Sequence, residues 1–238
     1  MKVLIIVAHP DDEVLGMGGT ILKHAKNGDR VTVAYLTTGI TSRRSSKYNN
    51  SPSYKLSKNE SLKIKKQILE LQNDAKKSAK ILNVEKTIFF DYPDNELDSV
   101  SLLKVIKTIE KLISEEKPER IYTSHYKDLN VDHRRVFEAT LTACRPFSFS
   151  VKEIICFEIL SSTEWSFSYD FKPNYFINIE KELTSKIKAM KIYKNEIRKF
   201  PHPRSIENIK ISANRWGTVC NFIAAEPFEI IRKFEKQF

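Results

Sequence analysis

The sequence predicts an α/β fold, a three-layer sandwich in which helices cover both faces of a mostly parallel sheet. Short apolar runs alternate along the chain with longer segments whose apolar residues recur every three or four positions. The first run, residues 3–8, is apolar and largely β-branched, which is typical of a strand that is buried on both faces. No internal repeat or low-complexity segment interrupts this alternation, so we expect parallel strands joined by crossover helices.

The predicted strands are short runs rich in β-branched or aromatic residues, and the predicted helices have apolar residues at helical spacing. In order along the chain, the predicted strands are residues 2–8, 30–37, 87–91, 120–124, 153–159 and 175–179. The predicted helices are residues 14–27, 56–82, 100–115, 132–144, 181–199 and 227–236.

Local signals support individual elements. Gly28 ends the first helix, because glycine readily adopts the left-handed conformation that follows a helix. In the second helix, Ile64, Ile68 and Leu71 recur at three and four and define one apolar face. The polar residues 38–58 before it are typical of a long surface loop.

The expected order of the strands predicts where a ligand binds. In doubly wound sheets the order often runs 3-2-1-4, so the first and fourth strands are neighbours. Ligands bind beyond the carboxyl ends of those two strands, where the order reverses. The segments that follow Ala8 and Ser124 are therefore the predicted position of the functional site.

Length and composition limit the class of protein. The chain has 238 residues, of which 41% are apolar and 29% charged. This suits one domain over residues 1–238, with a core at about 1–145 and a C-terminal elaboration at about 146–238. No apolar run is long enough for a membrane span, and no signal-peptide pattern is evident. Three widely spaced cysteines form neither a disulfide framework nor a CxxC zinc site, so we expect a cytoplasmic protein.

The net charge of +10 has two interpretations. A basic surface attracts polyanions, including nucleic acids and phosphorylated small molecules. Lysine far outnumbers arginine, however, and no segment interleaves arginine with aromatic residues, which favours solvated helix surfaces. We therefore expect a small-molecule partner and no specific nucleic-acid binding.

Two segments at the predicted ligand-binding edge carry metal-ligand residues. They are the run HPDDE at residues 9–13 and the run HYKDLNVDH at residues 125–133. Imidazole and carboxylate groups suit zinc, and a catalytic zinc needs three protein ligands and one open position. His9, Asp12 and His133 can supply the three ligands. An acidic run also favours a helix N-terminus, but two such clusters at one edge favour a metal site.

Two further acids have predicted roles beside this metal site. Asp11 is adjacent to Asp12, so its side chain leaves in a different direction and can accept a proton from metal-activated water. Asp132 precedes His133 at a predicted helix start, where it can cap the helix or orient a histidine ring.

The same motifs resemble those of the PIG-L/LmbE-like deacetylase family. The first is AHPDDE at residues 8–13, followed by GMGGT at 16–20, and the second is DLNVDHR at 128–134. Further similar segments are FDYPDNELD, HPRS, RWG and AEPF, at residues 90–98, 202–205, 215–217 and 225–228. The resemblance spans nearly the whole chain. It implies a Rossmann-like fold and a zinc-dependent amidase that acts on N-acetylglucosamine-type amides.

Position by position, the resemblance implies His9, Asp12 and His133 as the metal ligands. It also implies Asp11 as the general base and Asp132 as the residue that tunes the second histidine site. The expected cofactor is Zn²⁺, with Fe²⁺ or Co²⁺ as alternatives. The resemblance leaves a homo-oligomer open.

One position departs from the pattern of many family members. Asn130 stands where they have a histidine, three residues before the second metal histidine. An asparagine can donate a hydrogen bond to an oxyanion, but it cannot deliver a proton. We therefore expect Asp11 to return the proton to the leaving amine, with His125 and His202 as alternatives.

The expected reaction removes an acetyl group from an N-acetylated sugar, sugar nucleotide or glycoconjugate, through zinc-activated water with Asp11 as the base. The expected substrate-binding residues are polar or basic residues near the same edge of the sheet. They are Asn130, Arg44, Asp94, His202 and Arg204.

Three alternatives compete with this interpretation. Gly16, Gly18 and Gly19 partly match a dinucleotide fingerprint, although Ile21 stands where the pattern requires a third glycine. A metallophosphoesterase without amidase activity would suit the carboxylates and histidines, but a two-metal site needs more bridging ligands. A nucleic-acid binder is supported by charge alone.

Overall fold

The computed structural model describes residues 1–40, 57–146 and 150–235. The fold is an α/β three-layer sandwich, which confirms the predicted class. The strands are β1 (Lys2–Val7), β2 (Arg30–Thr37), β3 (Lys86–Tyr92), β4 (Arg120–Ser124), β5 (Glu153–Phe157), β6 (Tyr175–Asn178) and β7 (Ala225–Lys233). The helices are α1 (Asp12–Lys26), α2 (Lys58–Ile81), α3 (Leu102–Glu116), α4 (Val131–Ala143), α5 (Leu183–Met190) and α6 (Ile206–Val219).

The seven strands form one sheet in the order β3-β2-β1-β4-β5-β7-β6. Strands β1 to β5 pair in parallel, whereas β7 runs antiparallel to both β5 and β6. The predicted order 3-2-1-4 is confirmed, and β1 pairs with β4 from Val3↔Arg120 to Ile6↔Thr123. The carboxyl ends of β1 and β4 therefore lie side by side at one edge of the sheet.

The side chains of β1 alternate between two apolar cores. Val3, Ile5 and Val7 pack with α1, α2 and α5 on one face, whereas Leu4 and Ile6 pack with α3 and α4 on the other. Each of these five side chains is almost wholly buried. Burial on both faces is the physical reason for the continuous apolar run in the sequence.

The glycines of α1 allow the helix to pack tightly against its neighbours. A Cβ atom at Gly16 would lie 2.1 Å from the ring of Phe157, and one at Gly19 would lie 2.7 Å from Ile179. Both glycines lie inside the helix, not in the turn after β1. Close packing therefore explains the glycine motif, and the nucleotide-binding alternative loses its sequence support.

A buried ion pair fixes α1 to the C-terminal part of the sheet. Glu226 of β7 accepts a hydrogen bond from Lys186 Nζ at 2.6 Å and from the backbone N–H groups of Gly19 and Thr20 at 2.9 and 2.7 Å. Loss of one partner of such a buried pair typically costs about 3–5 kcal/mol. The pair thus holds in place the helix whose first residue is Asp12.

Several C-terminal predictions were wrong. Residues 227–236, predicted as a helix, lie mostly in β7, where Phe228 and Ile230 face one core and Ile231 faces the other. The predicted helix 181–199 is shorter, since α5 ends at Met190 and the chain then turns towards the candidate site. The sequence analysis did not predict α6.

Other expectations concern segments outside the sheet. No helix in the described ranges is both long and apolar enough to cross a membrane. Cys144, Cys156 and Cys220 are free thiols, as expected. Most of the predicted loop 38–58, including Arg44, lies outside the described residues.

Candidate metal centre and active site

The turn between β1 and α1 directs two adjacent carboxylates to different partners. Asp11 has φ of 106°, a left-handed conformation that costs a residue other than glycine about 1–3 kcal/mol. Asp12 Oδ2 lies 3.2 Å from Nε2 of His133, whereas Asp11 Oδ2 lies 2.9 Å from Nη1 of Arg204. The two acids therefore have separate surroundings, in agreement with the sequence prediction.

Three donor atoms form a nearly regular triangle. His9 Nδ1 lies 3.2 Å from His133 Nε2 and 3.3 Å from Asp12 Oδ2, and the last two atoms are 3.2 Å apart. A tetrahedral zinc ion with bonds of about 2.0–2.1 Å holds its ligands about 3.3–3.4 Å apart. In addition, Asp12 Oδ1 is buried without a hydrogen-bond partner among the described residues. The spacing and the unpaired oxygen both fit a divalent ion with three protein ligands.

His9 is held through its other ring nitrogen. His9 Nε2 lies 2.9 Å from Asp94 Oδ1 and 3.1 Å from Asp132 Oδ2. Asp132 also accepts the backbone N–H groups of Asn95 and Leu97, at 2.6 and 3.0 Å. A proton on Nε2 leaves the lone pair of Nδ1 facing the triangle. The two carboxylates orient His9 and do not form a second metal position, because His9 would then have to bridge two ions.

Asp128 holds the second histidine. Asp128 Oδ1 lies 2.9 Å from His133 Nδ1 and accepts the hydroxyl of Ser162, while its Oδ2 accepts the hydroxyl of Thr163 at 2.6 Å. Burial by itself raises the pKa of Asp128, but His133 and the two hydroxyls hold that pKa below its usual range. The sequence analysis gave Asp132 the task of tuning His133. In the structure Asp128 contacts His133, and Asp132 contacts His9.

The triangle is coupled by charge. Burial opposes ionisation, yet His133 and His9 hold the pKa of Asp12 below its ordinary value. In return, Asp12 and Asp128 raise the pKa of His133 to about 9, against the lowering effect of burial. Without a metal, the centre therefore retains a proton on His133 at neutral pH, and a bound cation takes its place.

We expect Asp128→Asn to weaken metal binding by about 10- to 100-fold. Asparagine keeps an oxygen that accepts the N–H of His133, but it removes the charge that makes the ring a stronger ligand. The dissociation constant of the metal, measured by competition with a coloured chelator, checks this. Asp170→Asn is the control, because Asp170 is a partly exposed carboxylate paired with Lys127 at 2.8 Å. Unchanged affinity in Asp128→Asn would contradict the orienting role.

Asp11 is a buried acid beside the triangle. Burial raises the pKa of Asp11 to about 8, and nearby carboxylates add to this effect, whereas Arg204 opposes it. Arg204 donates through Nη1 to Asp11 at 2.9 Å and through Nε to Ser161 Oγ at 2.6 Å. An acid with a pKa near neutral pH can both take up and return a proton. A cation bound nearby would lower this pKa.

A cavity of about 260 Å³ opens beside His9. Four of the predicted site residues share its lining, namely Asp11, Asp94, Asn130 and Arg204. Asn130 also caps α4, because its Oδ1 accepts the N–H of Asp132 at 2.8 Å, and its Nδ2 donates to Asn95 Oδ1 at 2.8 Å. The helix cap is therefore Asn130, not Asp132. Glu196 and Arg198, from the segment after α5, also line the cavity.

Two predicted residues are absent from the cavity lining. His202 packs edge-on against Trp165 with ring centroids 5.5 Å apart, and its Nδ1 accepts the N–H of Arg204 at 3.1 Å. Asp132 is buried behind His9.

The sequence analysis assigned no role to several residues that the site uses. These are Asp128, Ser162, Thr163 and Glu196. Asp128 lies within the quoted motif, so a search for an acid to orient each histidine might have found it. The other three come from distant segments that carry no recognisable spacing, and no signal in the sequence pointed to them.

Comparison with known proteins gives matches over most of the chain. Residues 4–144 match the sequence profile of the PIG-L family of GlcNAc-PI de-N-acetylases. The chain is 26% identical over 199 residues to the uncharacterized deacetylase YaiS of Escherichia coli strain K12, covering 81% of this chain and 90% of that protein. It is 29% identical over 208 residues to diacetylchitobiose deacetylase of Thermococcus kodakarensis, covering 82% of this chain and 70% of that protein.

A solved structure shares the fold. It is that of N,N'-diacetylchitobiose deacetylase from Pyrococcus horikoshii complexed with its inhibitor MPG. The two structures superpose with a TM-score of 0.72 and 24% sequence identity, covering 97% of this chain and 84% of that one. The similarity includes the strands after residue 144, which the family profile does not reach.

Proposed function

This chain belongs to the PIG-L family, and we propose that it is a metal-dependent N-deacetylase. The proposed reaction hydrolyses the amide of an N-acetylated sugar, sugar nucleotide or glycoconjugate and releases acetate. One observation carries the proposal: the triangle of His9, Asp12 and His133 lies beside the buried acid Asp11. Diacetylchitobiose deacetylases among its relatives support an acetylated sugar as the substrate.

In this proposal His9, Asp12 and His133 hold the metal. Imidazole and carboxylate donors suit Zn²⁺, with Fe²⁺ or Co²⁺ as alternatives. When bound, such an ion supplies a Lewis acid that polarises the amide carbonyl and lowers the pKa of water. The carboxylates that hold the outer nitrogen of each histidine preset the triangle before the ion binds.

Asp11 acts first as general base and then as general acid. Its carboxylate accepts a proton from the water that attacks the acetyl carbonyl, and it returns this proton to the departing amine. The return is needed because an amide anion is too basic to leave. Arg204 fixes the Asp11 carboxylate in place and opposes the effect of burial on its pKa.

Asn130 stabilises the oxyanion that develops on the substrate. Its Oδ1 is fixed by the helix cap, so the orientation of the whole amide is fixed. One hydrogen of Nδ2 bonds to Asn95, and the second is directed to the substrate oxygen. Asp94 and Asn95 accept sugar hydroxyls, and Arg198 with Arg204 favours a substrate that carries an anionic group.

Metal removal and return test the proposed function. We expect chelation to lower acetate release from a panel of N-acetylated sugars and sugar nucleotides by about 100-fold or more, and added Zn²⁺ to restore it. Protein treated with chelator already saturated by metal is the control. Full activity after verified metal removal would exclude the metal, and no acetate from any compound would exclude the N-deacetylase.

A further inference from the structure

A second cluster of metal-ligand residues lies on the sheet, apart from the triangle. Cys156 of β5 pairs directly with Glu229 of β7, so both side chains lie on the same face. His125 follows the end of β4, the other neighbour of β5. One donor atom from each residue lies within 4.8 Å of the others.

The polar atoms of this cluster are not satisfied by the protein. The side chain of His125 is 0% exposed, and its Nε2 lies 3.4 Å from Glu229 Oε2. Neither atom has a well-aligned hydrogen-bond partner among the described residues. Buried polar atoms are normally paired, since leaving one unpaired typically costs about 1–3 kcal/mol. Two such atoms facing each other indicate a missing ligand between them.

Aromatic rings set the direction of the histidine. Phe171 packs edge-on against His125 with centroids 5.3 Å apart, and Tyr126 lies at 4.3 Å. Nδ1 of His125 faces the backbone N–H of Lys127 at 3.3 Å, so Nε2 is the nitrogen that faces Glu229. Metal binding at Nε2 places the ring proton on Nδ1, and the cost is this one long contact.

We propose that His125, Cys156 and Glu229 form a second metal site, which binds a thiophilic divalent cation such as Zn²⁺. The site differs in chemistry from the triangle, because it includes a sulfur ligand. Imidazole, thiolate and carboxylate are all ligands that zinc accepts. One thiolate and one carboxylate together neutralise the charge of a divalent ion, so the buried site carries no net charge when filled.

Filling the site requires loss of one proton. In the metal-free protein, burial and then the charge of Glu229 raise the pKa of the Cys156 thiol well above its ordinary value. The thiol is therefore protonated until the metal–sulfur bond forms, and its proton is then released to solvent. Glu229 is the partly exposed member, with a side chain 17% accessible, so the ion enters from its side. The bound ion joins the ends of β4, β5 and β7.

Cobalt titration of metal-free protein tests the site. Co²⁺ bound by a thiolate gives a charge-transfer absorption in the near ultraviolet, which nitrogen and oxygen ligands do not give. We expect this band in the wild type and in His133→Ala, because the triangle contains no sulfur. We expect Cys156→Ser to lose the band. Zinc content should fall from two ions per chain to one in the same variant.

The other cysteines provide matched controls. Cys144 is buried like Cys156 but belongs to no cluster of metal-ligand residues in the described structure, and Cys220 is partly buried. Cys144→Ser and Cys220→Ser should both keep the band. A band that survives in Cys156→Ser, or that disappears in either control, would overturn the assignment.

Two further measurements do not depend on the folding of Cys156→Ser. Glu229→Gln changes a partly exposed ligand and should weaken cobalt binding at the thiolate site. In the wild type, bound Zn²⁺ should slow alkylation of Cys156, followed by mass spectrometry. No band in the wild type and equal alkylation with and without Zn²⁺ would exclude the site, whatever the deacetylase activity.

Discussion

His133→Ala is expected to lose the metal of the triangle and to lower deacetylase activity by about 10³-fold or more. His133 supplies one of three donors that lie 3.2–3.3 Å apart, and two donors hold a divalent ion much less well. A loss of 10³-fold corresponds to about 4 kcal/mol of transition-state stabilisation, which a Lewis acid typically supplies. Metal analysis and acetate release on the same preparation check both parts.

The control for His133→Ala is the loss of a buried histidine elsewhere. His24 is buried at the other end of the sheet, where its ring contacts Asp29 at 2.6 Å and Tyr122 at 3.0 Å. His24→Ala therefore measures what a lost buried imidazole costs in stability alone, and it should keep the metal of the triangle. If His133→Ala kept full metal occupancy at the triangle, the ligand assignment would be wrong.

Asp11→Asn is expected to keep the metal and to lower kcat/KM by about 10²- to 10⁴-fold. The asparagine amide fills the same space but accepts no proton from water and returns none to the amine. The donors of the triangle remain, since Asp11 directs its carboxylate to Arg204 and not to the histidines. Kinetics of acetate release, together with metal content, separate loss of proton transfer from loss of metal.

Asp29→Asn is the matched control for Asp11→Asn. Asp29 is also an acid with a basic partner, because it pairs with the N-terminal amine at 2.6 Å, but it is not in the cavity lining. This variant should keep full activity. Activity of Asp11→Asn close to that of the wild type would remove Asp11 from the proton transfers and leave its burial without a catalytic explanation.

The N-terminal half of the fold follows closely from periodicity. The predicted helix 14–27 is α1 (Asp12–Lys26), and the predicted strand 30–37 is β2 (Arg30–Thr37). The C-terminal half is less predictable, because β7 places apolar side chains in both cores and its spacing then resembles that of a helix. The division into a core and a C-terminal elaboration stays a prediction.

The candidate ligands are predictable from the sequence because parallel strands bring their carboxyl ends together. His9 and Asp12 follow β1, His133 follows β4, and the strand order makes β1 and β4 neighbours. The partner of each histidine is not predictable in this way. Asp128 and Asp132 are four residues apart in one motif, yet they contact different histidines. Which acid reaches which ring depends on where α4 begins and how it packs.

The sequence by itself determined the fold class, the edge of the sheet that carries the candidate site and the residue types gathered there. These properties depend on local periodicity and on strand order, which short stretches of chain encode. Only the tertiary structure decided that Arg204 contacts Asp11, that Asn130 caps α4, and that Cys156 lies between His125 and Glu229. Such contacts join segments far apart in the chain, and their distances are fixed by packing of the whole sheet and its helices.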